Sequence, residues 1–162
     1  MCIRDRAYAV FANGGMLPEI SLLARESDYR PGPRVVAASI AQEVLEVLAE
    51  VASENGTGSR ARVPGYAVGG KTGTVHKVGK GGYQDDQYVA LFAGVAPIDA
   101  PRFVTVVVLD RPKGDSYGGG AAAAPVFARV AGETLRLLGV APQLGESEAF
   151  AVAAVTPAGV NP

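Results

Sequence analysis

Apolar residues recur every three to four positions in two stretches of the chain, a spacing that predicts two amphipathic helices. The first covers residues 40–53, and Ser39 followed by Gln42 has the form of a capping box at its start. The second covers residues 121–138. The side chains expected to be buried are Ile40, Val44, Val47, Leu48 and Val51 in the first helix and Phe127, Val130, Thr134, Leu135 and Leu138 in the second.

Two further stretches are apolar at nearly every position, which predicts strands. They cover residues 88–96 and 102–110, and the proline-bounded connection 97–101 between them suits an antiparallel hairpin. Strands that are apolar on both faces need cover on both sides. The pattern therefore predicts an α/β fold of the α+β type, in which helices flank both faces of an antiparallel sheet.

The remaining segments are expected to be less regular. Residues 7–12 are predicted to be the end of a helix, which Asn13-Gly14-Gly15 stops in a left-handed conformation. Residues 20–24 allow a short strand. The polar, glycine-rich residues 75–86 are expected to form a mobile loop, and residues 143–162 a disordered tail.

Composition narrows the class of protein. The chain has 162 residues, of which 48% are hydrophobic and 19% charged, values that fit about one globular domain. Its net charge of -1 and scattered basic residues predict no nucleic-acid partner. Cys2 is the only cysteine and His76 the only histidine, so we expect neither a disulfide framework nor a metal site, and no cofactor is indicated. The sequence shows no secretory signal and no apolar run long enough to cross a bilayer.

One segment, residues 65–75, admits two different chemistries. Residues 65–72 satisfy the pattern of a phosphate-binding loop, while Lys71-Thr72-Gly73 matches the strand motif of serine β-lactamases and penicillin-binding proteins. A phosphate-binding loop has to open into a helix, but the residues after Thr72 are rich in glycine and lack helical spacing. Residues 66–68 favour a strand instead. A nucleoside triphosphatase that uses Gly70, Lys71, Thr72 and Asp110 stays an alternative.

Several short motifs follow one another along the chain. They are Asn13-Gly14-Gly15, Gly56-Thr57-Gly58, Lys71-Thr72-Gly73-Thr74, Gly94-Val95-Ala96-Pro97, Asp110-Arg111-Pro112 and Tyr117-Gly118-Gly119. In this order and spacing, residues 7–142 resemble the C-terminal part of a penicillin-binding protein transpeptidase domain, most closely the division-type class B enzymes. Residues 1–6 do not fit the resemblance, and we expect them to be a non-native leader.

The resemblance implies a fold and an activity. The fold is part of the serine β-lactamase/penicillin-binding-protein transpeptidase fold. The activity is that of a D,D-transpeptidase, which cross-links peptidoglycan by serine acyl transfer on D-Ala-D-Ala stem peptides and is acylated by β-lactams. The resemblance also implies an inner-membrane anchor outside this sequence, a periplasmic catalytic domain, and a membrane glycosyltransferase and divisome proteins as partners of the upstream part.

The resemblance further assigns roles to one strand. Lys71, Thr72 and Thr74 are expected to be catalytic, and Lys71, Thr72, Gly73 and Thr74 to bind the substrate. Lys71 would place a cation beside the substrate's carboxylate, the two hydroxyls would bind that carboxylate, and Gly73 would let the peptide lie along the strand. The backbone amide of Thr74 would be one donor of the oxyanion hole.

The rest of the family's catalytic machinery is not found in this sequence. None of its serines has a lysine three residues later, so it contains no Ser-x-x-Lys motif. Ser53-Glu54-Asn55 has the form Ser-x-Asn, but we predict a helix terminus there. We therefore expect the chain alone to have no transpeptidase activity, and a catalytically inactive binding module of the same fold stays a further alternative. His76, Tyr83, Asp85 and Asp86 are expected to be solvated side chains.

Overall fold

The structure is a computed structural model that describes residues 3–21, 32–79, 82–113 and 117–143. The main elements in chain order are α1 (Ile3–Ala12), α2 (Ala38–Ala52), β1 (Gly69–Gly79), β2 (Gly82–Ala96), β3 (Phe103–Asp110) and α3 (Ala124–Leu137). A 3₁₀ turn, Ser59–Ala61, lies between α2 and β1, and a π-helical turn, Gly119–Ala123, leads directly into α3.

The three strands form one antiparallel sheet in the order β1-β2-β3. Lys71 of β1 lies opposite Ala93 of β2, and Phe92 of β2 lies opposite Val107 of β3. The predicted hairpin of β2 and β3 is confirmed. Its strands are apolar on both faces because the sheet is covered on both sides.

Helices pack on both faces of the sheet, as the sequence predicts. On one face Phe92 meets Phe127 of α3 with ring centroids 4.9 Å apart, and both side chains are fully buried. On the other face Val95 packs with Leu45 of α2 and Phe11 of α1. Two separate apolar clusters therefore hold the sheet between α3 and the pair α1 and α2.

The expected burial of Leu48 in α2 is confirmed, but the rest of the buried face differs from the predicted one. Its buried residues are Ala41, Leu45, Leu48 and Ala52, whereas Val47 is 65% exposed and Ile40 47% exposed. Leu45 and Leu48 of α2 pack with Val95 of β2, so the stripe that faces the sheet is turned away from Ile40 and Val47. The helix also lies close to β1, because a Cβ atom built on Gly69 would lie 2.9 Å from the backbone nitrogen of Ala49.

Two other details of the helices also differ. The capping box is wrong, because α2 begins at Ala38, its N-cap is Ala37, and no side chain caps it; Ser39 lies inside the first turn. In α3 the expected burial of Phe127 and Leu135 is confirmed, but the other positions of the stripe are the alanines 124 and 131. Val130 and Leu138 are about half exposed because they lie beside that stripe.

The expected loop at residues 75–86 is wrong in its secondary structure. Residues 75–79 continue β1 and residues 82–86 begin β2, and the pairing runs from Val75 opposite Val89 to Gly79 opposite Gly82, with an irregularity between His76 and Val78. Polar residues and glycines are compatible with a strand whose backbone groups are paired across a hairpin. Residues 80 and 81 lie outside the described part of the chain.

The ends of the elements match some expectations and not others. Gly14 and Gly15 have φ angles of 61° and 89°, so the predicted left-handed stop of α1 is confirmed. The strand expected at residues 66–68 begins only at Gly69, because Tyr66 belongs to a tight turn that closes on Val63. Residues 20 and 21 are not in a strand, and residues 22–24 lie outside the described ranges.

Both ends of the expected domain are partly described. α1 begins at Ile3 and so includes residues of the expected leader. At the other end Gln143 donates its backbone N–H to Gly65 O at 2.8 Å, and the Tyr66 hydroxyl donates to Val140 O at 2.6 Å. These bonds fix the end of the described chain to the turn before β1. Residues 144–162 of the expected tail lie outside the described part.

Candidate active site

The outer edge of β1 carries the backbone groups of two threonines from the predicted site. Neighbouring pairs in an antiparallel ladder alternate between hydrogen-bonded and non-hydrogen-bonded. Because Arg111 N–H donates to Tyr88 O at 2.9 Å, the even-numbered residues of β2 bond to β3 and the odd-numbered ones bond to β1. The odd-numbered residues of β1 therefore bond to β2, and Thr72 and Thr74 point their peptide groups to the open edge.

This arrangement excludes the phosphate-binding loop. Gly70, Lys71 and Thr72 lie inside an antiparallel strand, and the chain continues as strand and not as helix after them. The carboxylate of Asp110, the second nucleotide residue of that alternative, is bound to Lys77 at 2.7 Å. The nucleoside triphosphatase hypothesis is therefore wrong.

The Lys71 side chain curls back to the open edge of its own strand. Its Nζ donates to Thr72 O at 3.0 Å and to Thr72 Oγ1 at 3.3 Å. The side chain is exposed, so its charge is available to a ligand that approaches the edge of β1. An ammonium group and a hydroxyl side by side suit a carboxylate.

Two further threonine hydroxyls lie along the same edge. The hydroxyl oxygens of Thr57 and Thr72 are 3.3 Å apart, and the Thr74 hydroxyl accepts a hydrogen bond from Gly119 N–H at 3.0 Å. The structure thus brings the predicted Lys71, Thr72 and Thr74 together and adds Thr57, which the sequence prediction of the site missed. The signal for Thr57 was its place in the Gly56-Thr57-Gly58 motif.

The π-helical turn packs closely on the paired backbones of β1 and β2 and on the loop at Thr57. A Cβ atom on Gly119 would lie 2.3 Å from Leu91 O and 2.5 Å from Gly73 O, and one on Gly120 would lie 2.2 Å from Thr57 O. Only glycine fits at these positions without a backbone shift. The glycines after Tyr117 therefore let the start of α3 reach the strand that carries Lys71.

Three rings, those of His76, Tyr88 and Tyr117, form a cluster toward the end of β1. The rings of Tyr88 and Tyr117 stack with centroids 4.1 Å apart and an interplanar angle of 15°, and His76 lies tilted on Tyr88 at 4.5 Å. His76 is exposed.

The next residue along β1, Lys77, donates a hydrogen bond to the Asp110 carboxylate at the end of β3. This hydrogen bond holds the pKa of Asp110 below its ordinary value, and the Arg111 charge acts in the same direction.

Other candidate groups do not join the site. Ser53 is the C-cap of α2, with its N–H bonded to Glu50 O at 3.2 Å, so the predicted helix terminus at Ser53-Glu54-Asn55 is confirmed. Among the described residues no three His, Cys, Asp or Glu side chains come close enough together to hold a metal ion. The helices in the same ranges are too short or too polar to span a bilayer.

Residues 6–132 of the chain, which include all of β1, match the family described as the penicillin binding protein transpeptidase domain. The chain belongs to this family. Both the family and the fold expected from the sequence motifs are confirmed, and the Lys71 edge of β1 is the edge of a transpeptidase-domain sheet.

Relatives of this transpeptidase-family chain are longer than it is. The probable peptidoglycan D,D-transpeptidase PenA of Neisseria flavescens is 39% identical over 137 residues, which are 85% of this chain and 34% of PenA. The peptidoglycan D,D-transpeptidase FtsI of Escherichia coli (strain K12) is also 39% identical over 137 residues, which are 85% of this chain and 23% of FtsI. The chain thus spans between 23% and 34% of the length of these two relatives.

A solved structure supports the same family assignment. The apo structure of the transpeptidase domain of Burkholderia pseudomallei penicillin-binding protein 3 matches with a TM-score of 0.81 and 40% sequence identity. The match covers 87% of this chain and 43% of that chain. The fold described above is therefore part of a transpeptidase-domain fold.

Proposed function

We propose that this chain is the C-terminal part of a peptidoglycan D,D-transpeptidase and that β1 forms one wall of its acyl-transfer site. The observation that carries the proposal is the open edge of β1, where the Lys71 ammonium and the hydroxyls of Thr57, Thr72 and Thr74 lie beside outward-facing peptide groups. An extended peptide can add to such an edge as a further strand.

The residues of this edge have different roles in substrate binding and in catalysis. The Lys71 charge and the hydroxyls of Thr72 and Thr74 bind the terminal carboxylate of a D-Ala-D-Ala stem peptide or of a β-lactam. Gly73 leaves room for the ligand's backbone, and the outward N–H of Thr74 donates to the oxyanion of the tetrahedral intermediate. Loss of one such donor typically lowers kcat by about a hundredfold to a thousandfold.

The nucleophile has to come from outside this sequence, because no Ser-x-x-Lys occurs in it. In the proposed whole protein, residues 7–142 complete a periplasmic transpeptidase domain whose upstream part supplies the serine, the inner-membrane anchor and the contacts with a glycosyltransferase and divisome proteins. The first six residues are proposed to be a non-native leader.

Exposure of the purified chain to a fluorescent penicillin tests the missing nucleophile. We expect no covalent labelling on a denaturing gel, because no serine of this chain can complete the acyl-transfer site. A band that survives denaturation and is removed by an excess of unlabelled penicillin would contradict this part of the proposal.

A chimera tests the positive part. Residues 7–142 replace the matching region of the Burkholderia pseudomallei transpeptidase domain, which supplies its own serine. We expect the chimera to be acylated by the fluorescent penicillin and Lys71→Met to slow acylation roughly tenfold to a hundredfold, since a hydrogen bond to a charged group contributes about 1.5–3 kcal/mol.

Lys77→Met is the matched control in the chimera, because Lys77 lies on the same strand but binds Asp110 at the far end of the hairpin. The Lys77→Met chimera should be acylated at nearly the rate of the chimera without this substitution. If the folded chimera is not acylated, the transpeptidase proposal fails and the catalytically inactive binding module is favoured. If Lys71→Met and Lys77→Met have equal effects, the role given to Lys71 is wrong.

A further inference from the structure

The chain turns sharply where α3 ends. Gly139 has a φ of 64°, and its N–H donates to Arg136 O at 3.1 Å. The next residue, Val140, donates its N–H to Leu135 O at 3.0 Å. These two bonds form a Schellman motif, which ends a helix through a residue in the left-handed conformation. Residues 139–143, which we call the latch, therefore leave α3 in a fixed direction.

The latch holds the turn before β1 through two hydrogen bonds. The hydroxyl of the buried Tyr66 donates to Val140 O at 2.6 Å, although the two residues are 74 positions apart in the sequence. Gln143 donates its N–H to Gly65 O at 2.8 Å. Pro142 packs on the same turn, because a Cβ atom built on Gly65 would lie 3.0 Å from the Cβ of Pro142. The turn is thus held along the latch and not at a single point.

The turn before β1 leads directly into the strand of the candidate site. β1 begins at Gly69, so Lys71 and Thr72 lie near the end of the strand that the turn holds. Ends of elements open locally more readily than their centres, because fewer contacts have to break. Ala67 O accepts a hydrogen bond from Ile98 N–H at 2.8 Å, which ties the segment between the turn and β1 to the residues after β2. The position of Lys71 therefore depends on how firmly the turn is held.

A second contact from the α3 region holds the other end of the Lys71 motif. Thr74 Oγ1 accepts a hydrogen bond from Gly119 N–H at 3.0 Å, in the turn that leads into α3. Between the two contacts Phe127 and Leu135 of α3 are fully buried in the core. The segments before and after α3 thus each bind one side of residues 71–74, and the helix between them fixes the distance between the two contacts.

We propose that the latch positions the Lys71 end of β1 for acyl transfer, a role that rests on the proposed function of this strand. Tyr66 and Gln143 are then positioning residues, which touch no substrate and act through β1. A reacting group misplaced by about 1 Å can lower a rate about a hundredfold. A loosely held β1 would still attract the carboxylate of the substrate, but it would place the outward N–H of Thr74 poorly for the oxyanion.

Amide hydrogen exchange of the whole chain, followed by NMR, tests whether the latch holds this end of β1. Gly69 and Lys71 are odd-numbered residues of β1, so their N–H groups bond to β2. Gln143→Pro removes the N–H that Gly65 O accepts, and we expect both amides to exchange roughly fivefold faster, the factor for one lost hydrogen bond. Gln143→Ala keeps the N–H and should leave both rates unchanged. Tyr66→Phe removes the other bond and should act like Gln143→Pro.

Val10→Ala separates a local effect from a loss of overall stability. Val10 is buried in α1 and belongs neither to the latch nor to β1. Its truncation should lower the stability of the chain and still leave the exchange of the Gly69 and Lys71 amides unchanged, because these amides open with the end of the strand. If they accelerate as much in Val10→Ala as in Gln143→Pro, β1 opens only with the whole molecule and the latch has no local role.

Acylation kinetics test the consequence for the site. In the chimera with the Burkholderia pseudomallei domain, extended to residue 143, we expect Gln143→Pro to lower the acylation rate constant at saturating fluorescent penicillin about threefold to tenfold relative to Gln143→Ala. The final amount of labelled protein should stay the same. A lower final amount with an unchanged rate constant would mean that the variant only unfolds a fraction of the molecules, and it would overturn the positioning role.

The failure of the latch and the failure of the proposed function give different results. A chimera without substitutions that is not acylated would refute the proposed function, and the positioning role with it. An acylated chimera with equal rate constants for Gln143→Pro and Gln143→Ala would refute the latch alone. Equal exchange of the Gly69 and Lys71 amides in these two variants would refute it as well.

Discussion

The Thr74 hydroxyl accepts a hydrogen bond from Gly119 N–H at 3.0 Å, and this contact joins the candidate substrate-binding edge to the turn that begins α3. The same turn presses its glycines against the β1 and β2 backbones. The position of the Lys71 strand therefore depends on a segment more than forty residues later in the sequence.

The close contact at Gly119 leads to a prediction on stability. In Gly119→Ala the new Cβ would meet Leu91 O and Gly73 O well inside contact distance, so backbone has to move. We expect the variant to lose about 1–3 kcal/mol of unfolding free energy, the usual cost of overpacking. Urea denaturation followed by circular dichroism measures it.

Gly118→Ala is the matched control for that variant. Its Cβ would meet only Thr74 Oγ1, at an ordinary distance of 3.8 Å, and its φ of -73° suits alanine. The expected change is within about 0.5 kcal/mol. Equal losses for Gly118→Ala and Gly119→Ala would mean that the turn does not pack on β1 as described.

The hydroxyl of Thr74 provides a second prediction. Thr74→Val keeps the shape of the side chain but leaves Gly119 N–H without its acceptor, and we expect a loss of about 1 kcal/mol of unfolding free energy. Thr74→Ser keeps the acceptor and should lose clearly less. If Thr74→Ser is as destabilising as Thr74→Val in urea denaturation, the methyl group rather than the hydrogen bond holds the turn.

The sequence alone was sufficient to predict the elements that have a strong local pattern. The β2 and β3 hairpin followed from two long apolar runs around a proline-bounded connection, and the end of α1 followed from Gly14 and Gly15. The pairing of residues 75–79 with the start of β2 was missed, because glycines and polar residues carry little strand signal and the backbone pairing that holds them is not visible in side-chain pattern.

Part of the candidate site could be predicted for a similar reason. Lys71, Thr72 and Thr74 are adjacent in the sequence and belong to one short motif. Thr57 and Gly119 reach the same edge only through the packing of the turn at Gly119 on β1 and of the loop at Thr57 on that turn. No local pattern encodes such contacts, although both residues lie in motifs that the sequence analysis singled out.

The corrected face of α2 gives a prediction that separates the sequence pattern from the structure. Leu45 is buried and Val47 is 65% exposed, although only Val47 belonged to the predicted stripe. We expect Leu45→Ala to cost about 2–5 kcal/mol of unfolding free energy and Val47→Ala to change it by less than about 0.5 kcal/mol. Thermal or urea denaturation measures both losses. If Val47→Ala were more destabilising than Leu45→Ala, the buried stripe predicted from the sequence would be the correct one.

The ion pair of Lys77 and Asp110 predicts a pH-dependent contribution to stability. The hydrogen bond from Lys77 lowers the pKa of Asp110 in the folded chain, and the Arg111 charge adds to it. A group whose pKa is lower in the folded state stabilises it above the unfolded pKa, about 3.9 for aspartate, and this stabilisation is lost as pH falls through the folded pKa. Lys77→Met should therefore raise the pKa of Asp110 and reduce stability at pH values above about 3.9. Below the folded pKa of Asp110 the ion-pair contribution should vanish, and the variant and the parent chain should no longer differ by it.

Carbon NMR of the Asp110 carboxyl group during an acid titration measures this shift. The prediction fails if Asp110 titrates at the same pH with and without Lys77. Arg111, 3.7 Å from the carboxylate, would then be the group that lowers its pKa, because no other cation approaches Asp110 this closely within the described residues.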